Sequence, residues 1–90
     1  MEFRTLDEVV EIEGKGLMLF AMAEDLQAVP GDGCRIRDSR GNVHTVEKVG
    51  TQEALITLYI VGGSLNYFER LFRDIRIDAT LFTLLQEDET

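Results

Sequence analysis

The sequence predicts an all-β domain of about six or seven short strands, a sandwich or a barrel, with one short helix. Three observations carry this. Residues 9–20 hold two β-type runs split by Gly14-Lys15-Gly16, a link whose length and glycine content suit a hairpin. Residues 17–23 are apolar on both faces of a strand, with Leu17, Leu19, Ala21 and Ala23 on one side and Met18, Phe20 and Met22 on the other, as in a strand covered on both sides. Residues 54–61 form a β-branched and aromatic run without a breaker.

Taken in order, residues 3–13 are the first predicted strand. Leu6, Val10 and Ile12 share one side and Asp7, Glu11 and Glu13 the other, the two-residue period of a half-buried strand, which Glu8 and Val9 interrupt. Gly14 and Gly16 supply the positive φ that the turn requires, and residues 17–23 return as the second strand. A polar connection over 24–33 ends in Val29-Pro30-Gly31-Asp32-Gly33, where Pro30 fixes φ and Gly31 takes the positive φ that follows. Residues 34–37 make a short strand with Cys34 and Ile36 inward. Residues 38–42 are a turn cluster, 43–49 a strand of imperfect alternation and 50–53 another turn before 54–61.

Gly62-Gly63-Ser64 stops that strand. Leu65, Phe68, Leu71 and Phe72 then recur at helical spacing behind Ser64, a suitable N-cap, and predict a helix over 65–74. A strand with Tyr67 opposite Phe68 is the alternative. Residues 73–85 read as a closing strand, Ile75, Ile77, Ala79 and Leu81 alternating with Arg76, Asp78 and Thr80. Residues 86–90 form an acidic, frayed tail.

Ninety residues allow one domain, 1–90, burying somewhat over about 60% of its unfolded surface. A composition of 44% hydrophobic and 29% charged residues is globular rather than disordered. Seventeen acids against nine bases give a net charge of −8, which disfavours polyanion binding. Cys34 is the only cysteine, so no internal disulfide forms, which suits a reducing cytoplasm. The acidic first eight residues are unlike a signal peptide, and no apolar run approaches the roughly 20 residues that span a bilayer. The expected setting is soluble and cytoplasmic, without a membrane.

The stretch from the acidic pair Asp7-Glu8 through Val9-Val10-Glu11-Ile12-Glu13-Gly14-Lys15-Gly16 into the apolar strand resembles the first hairpin of the β-barrel domain that follows the GTPase domain in elongation factor Tu and related translational GTPases. The recurring pattern there is an acidic pair, Val-Phe, a small polar residue, Ile-x-Gly-Arg/Lys-Gly and an apolar strand. A Val-Gly-Asp element of those domains falls near Val29-Pro30-Gly31-Asp32. The resemblance covers residues 6–37 and is loose from Val43 onward. The family's Ala-Gly-Asp-x-Val run would fall on Arg73-Asp74-Ile75-Arg76-Ile77, which lacks the glycine. The resemblance implies a small closed Greek-key-like barrel, and the helix read over 65–74 would pack one face on that barrel's open end.

The resemblance also implies a pocket for the aminoacylated 3′ adenosine of tRNA at Asp7, Glu8 and Val10. The family's aromatic ring is replaced by Val10, removing a stacking contact of about 1–3 kcal/mol. With that loss and the acidic balance, a solvated acidic strand is the better reading. Gly14-Lys15-Gly16 is not a phosphate loop, because Gly16 and a strand follow the lysine instead of Ser/Thr and a helix. His44 is read as an ordinary strand histidine and Cys34 as a small buried hydrophobe. Glu8, Glu11 and Glu13 are assigned to solvent or to Arg35 and Arg37 on a neighbouring strand. No nucleophile, base and orienter come together, no metal set has several ligands, and no cofactor motif is present.

The expectation is therefore a non-enzymatic, stand-alone translation-factor-like barrel that works as a protein-interaction module. Its candidate face is Met18, Phe20 and Met22. At the positions of Phe20 and Met22 the family commonly has Thr and Arg, so something covers this side: the helix over 65–72, a second copy or another chain. A tRNA-, rRNA- or ribosome-associated binding domain is the alternative.

Overall fold

The computed structural model describes residues 1–26 and 29–85. Six described strands, β1 (Glu2–Ile12), β2 (Gly16–Met22), β3 (Arg35–Arg37), β4 (Val43–Gln52), β5 (Leu55–Val61) and β6 (Leu81–Leu84), close into an antiparallel barrel in the order β1-β2-β5-β4-β3-β6. One helix, α1 (Leu65–Arg73), joins β5 to β6. The expected small closed barrel with one short helix is the observed fold. The acidic stretch 86–90 lies outside the described residues.

The β1–β2 hairpin turns where the glycines stand. Lys15 N–H donates to Ile12 O at 2.9 Å, with Gly14 at φ +73° in the third turn position. Gly16, at φ +117°, pairs with Ile12, and a Cβ there would stand 2.6 Å from the Ile60 carbonyl oxygen on β5. The hairpin thus depends on close backbone approach as well as on turn geometry.

β1 corrects the expected alternation. Its inward residues are Phe3 and Thr5, whereas Leu6 and Val10 are exposed and Ile12 half-buried. Thr5 pairs with Ala21 and Val9 with Leu19, so the longer path through Leu6-Asp7-Glu8 bulges from the ladder. Its two extra residues leave the alternation in step, so Phe3, Thr5 and Val9 share the inward side, and the apolar Leu6 and Val10 continue the outer face instead. A second irregularity, between Val46 and Lys48 of β4, explains that strand's imperfect pattern. β4 also runs through Gly50 to Gln52, so its turn to β5 is Glu53-Ala54, with Glu53 at φ +55°. In the 24–33 connection, Gly33 rather than Gly31 carries positive φ, +84°, while Gly31 O accepts from Cys34 N–H at 3.2 Å. Pro30 is buried.

The long closing strand expected over 73–85 is replaced by turns up to Thr80, and only Leu81–Leu84 joins the ladder. Asp74 Oδ1 accepts from the Arg76 backbone N–H at 3.0 Å, and Leu81 N–H donates to Asp78 O at 3.0 Å. Such local bonds compete with a ladder. Phe82 is the inward residue, and Ile75, expected inward, is 97% exposed. β6 bonds to both β1 and β3 and so closes the barrel. It also separates β1 from β3, so Arg35 and Arg37 do not neighbour the β1 acids.

The interior is built from Phe3, Leu17, Leu19, Ala21, Ile36, Val46, Ile56, Leu58, Ile60 and Phe82, with Phe68 and Leu71 of α1 plugging one end. Ser64 caps α1 as expected, its Oγ accepting from Tyr67 N–H at 3.3 Å.

Denaturant unfolding should rank the hairpin changes. Gly16→Ala should cost at least about 2 kcal/mol, because strain and the Ile60 carbonyl act together. Gly14→Ala, with open space around it, should cost about 1–2 kcal/mol. Lys15→Ala should stay within about 0.5 kcal/mol.

Candidate functional site

The inward direction of Leu17, Leu19 and Ala21, at 2%, 0% and 0% exposure, dictates where their neighbours point. Met18, Phe20 and Met22 project outward, each half-buried. The ladder sets Met18 between Val10 of β1 and Tyr59 of β5, Phe20 beside Thr57, and Met22 beside Leu55. Leu6 and Val10 add exposed aliphatic surface at the β1 border. At the β4 border Tyr59 packs over Gly50, its ring 3.5 Å from where a Cβ would stand. An open depression of about 470 Å³ lined by Ile12, Lys15, Lys48 and Tyr59, among others, lies beside this row.

The helix does not cover this face. Phe68 and Leu71 turn into the barrel interior, and the strand that α1 chiefly contacts is β1. The expected internal cover is thereby corrected: an amphipathic helix with one buried stripe serves one surface, and here that surface is the barrel end.

Asp7 and Glu8, matched by resemblance to a tRNA-end pocket, lie exposed in the β1 bulge. They line an open depression of about 350 Å³ with Val9 and with Glu69, Phe72 and Arg73 of α1. Val10 is not in that lining; it pairs with Met18 on the outer face. The structure therefore brings the two acids together with an aromatic ring from a distant part of the chain, and leaves Val10 elsewhere.

A polar node at the rim was not legible as a unit. Asp38 is 4% exposed. Its Oδ1 accepts from Arg40 N–H (2.9 Å) and Asn42 N–H (3.1 Å), and its Oδ2 from His44 Nε2–H (2.7 Å) and the Tyr67 hydroxyl (2.6 Å). Tyr67 in turn accepts from Asn42 Nδ2 at 2.7 Å. A carboxylate only accepts, which fixes the histidine proton on Nε2. Burial pushes the Asp38 carboxyl up, but the bonds from His44, Tyr67, Asn42 and Arg40 outweigh it and hold it below the usual range. Burial and the Asp38 bond push the Tyr67 phenol up. The turn-forming Asp38-Ser39-Arg40-Gly41-Asn42 signalled the local bonds. Nothing in the sequence linked them to Tyr67, 29 positions away.

His44 is thus a satisfied rim histidine, tilted against Phe68 at 4.8 Å between centroids. Cys34 is half-buried and unpaired with another cysteine, and burial pushes its thiol up, away from the reactive thiolate. Among the described residues no three His, Cys, Asp or Glu side chains form a metal-ligand group, and no helix is long and apolar enough to cross a membrane.

Asp38→Ala should destabilise the fold by about 2–4 kcal/mol, since several donors lose their acceptor at about 1 kcal/mol or more each. With its folded pKa depressed, Asp38 contributes stability that is present above the unfolded carboxylate range and lost as pH falls through the folded value. Tyr67, with its folded pKa raised, contributes stability that is complete below the unfolded phenol value and lost as pH rises through the folded one. Stability curves against pH should therefore lose their acid slope at Asp38 in Asp38→Asn and their alkaline slope at Tyr67 in Tyr67→Phe. No family model, curated protein or solved structure matches the chain.

Proposed function

We propose that this chain is a non-catalytic interaction module whose outer β1–β2–β5 face binds another protein that is apolar where it docks and basic overall. The observation that carries this is the outward row of Met18, Phe20 and Met22, extended by Tyr59 and Leu55 and left without a helix over it. Thioethers and an aromatic ring on a firm strand form an adaptable apolar surface. The chain carries −8 overall, with exposed acids at Asp7 and Glu8 in the β1 bulge and Glu13 in the hairpin turn. A second copy would bring like charge, whereas a basic partner gains from it.

The hairpin's resemblance to the barrel of translational GTPases supports a docking role of the kind that barrel has between other domains, and the cytoplasm is its natural setting. The rim node supports a structural part for His44: the histidine and the Tyr67 hydroxyl both aim at one carboxylate, not at a site for a reacting atom. The reading of Asp7 and Glu8 as an RNA-end pocket is the weaker one, since net charge opposes it and Val10 faces elsewhere.

A photoreactive residue at Thr57 tests the proposal in the native cell, with Asn66 as control. One basic protein should cross-link from Thr57 and not from Asn66, and should bind again when purified. Phe20→Asp should abolish both results while the chain stays folded. Cross-links to a second copy, or to RNA, would overturn the proposal.

A further inference from the structure

At the far end of α1 the chain concentrates positive charge. Arg40, Arg70, Arg73 and Arg76 line one open depression of about 470 Å³ together with Asp74 and Ile75. They are four of nine bases in a chain of net charge −8. Their arrangement is built rather than incidental. Asp74, its side chain 8% exposed, holds Arg40 Nη2 at 2.9 Å and Arg76 Nε and Nη2 at 2.9 and 3.1 Å. It also accepts from the Arg76 backbone N–H, which fixes the turn that carries Ile75. Arg40 is steadied further over the Tyr67 ring, 5.9 Å from its centroid.

The remaining charge faces solvent. Arg70 has no hydrogen bond or ion pair among the described residues. The Arg73 side chain is 80% exposed and lies 4.0 Å from Glu69, a separation worth little at a surface. The Arg76 side chain is 83% exposed despite its bonds to Asp74. Among these guanidinium groups Ile75 is 97% exposed, an aliphatic side chain held in water by a turn that leaves it no interior to enter.

We propose that this surface binds a short acidic peptide segment carrying one aliphatic or aromatic side chain. The peptide's carboxylates meet Arg70, Arg73 and Arg76, whose planar forks match carboxylate oxygens, and its apolar side chain packs on Ile75. The isoleucine decides between anions, because a phosphodiester backbone offers it no aliphatic counterpart. The rest of the chain points the same way: a short segment stays within the patch, whereas an extended polyanion runs onto acidic surface within a Debye length or two. This surface is separate from the outer β1–β2–β5 face, and Phe20→Asp leaves it intact.

Fluorescence anisotropy with the full chain tests the proposal. The probe is a labelled eight-residue peptide of Asp and Glu around a central Leu, compared with the same peptide carrying Ser in place of Leu and with a single-stranded oligonucleotide of equal charge. The Leu peptide should bind saturably and weaken as salt rises. Ile75→Ser and the double change Arg70→Ser/Arg73→Ser should each weaken it by about tenfold. All three side chains are exposed, so these variants should keep the parent's thermal midpoint. The proposal is overturned by an absence of saturable binding below about 1 mM, or by equal affinity for the Ser peptide. Tighter binding of the oligonucleotide, or association of the chain with itself, would overturn it too.

Discussion

The structure depends on one constraint: a six-stranded barrel has a single interior, and β2 carries two apolar faces. Leu17, Leu19 and Ala21 occupy the interior with Ile56, Leu58 and Ile60 of β5. Phe68 and Leu71 then plug the barrel end. Nothing of that volume remains for Met18, Phe20 and Met22, because side chains in a strand alternate. Their outward direction follows from filling the core. An apolar row is a cost in an isolated chain and an asset in a bound one.

The plug is held from two sides. Rings form a continuous path from the interior to half-buried Phe72, Phe3 to Phe82 at 5.9 Å, Phe82 to Phe72 at 6.5 Å, and Phe72 to Phe68 at 6.2 Å, all within the range of favourable aromatic pairs. At the rim, the Asp38 carboxylate ties the β3–β4 turn to Tyr67 of α1, and Arg40 reaches on to Asp74 just past the helix. Core packing places the helix, and the polar node fixes its orientation. Because α1 is committed at the barrel end, it is unavailable to cover β2, and the arginines of its last turn are displayed beside the Asp74 turn.

Much of this was legible in the sequence. The glycine-flanked turn, the doubly apolar β2, the β5 run and the Ser64-capped helix are each specified by local pattern, and all appear where that pattern puts them. What misled the reading was nonlocal. The inward residues of β1 are Phe3, Thr5 and Val9, because the apolar Leu6 and Val10 continue the outer face of β2, and the bulge shows in the sequence only as the break in alternation at Glu8 and Val9. The alternation over residues 75–81 mimics a strand, but Asp74 and Asp78 bond to nearby backbone and to Arg76 and Arg4, so turns win. The outer face was visible as three residues of β2; its extension to Tyr59 and Leu55 required strand pairing. Likewise the Asp38 node and the Arg40–Asp74 link join positions whose proximity only the barrel creates.

The surface thus divides into an apolar outer face on β2 and, past the helix, an arginine-rich one, two chemistries on a 10.2 kDa chain. On a lone chain the outer row of β2, half-buried by its strand neighbours, remains within reach of solvent. Methyl resonances of methionine and leucine, recorded with a soluble paramagnetic agent, test it most directly. The chain should tumble as a monomer, with the Met18 and Met22 methyls broadened far more than those of interior Leu19 and Leu58. Methionine methyls as protected as the interior leucines, or tumbling as a dimer, would contradict it.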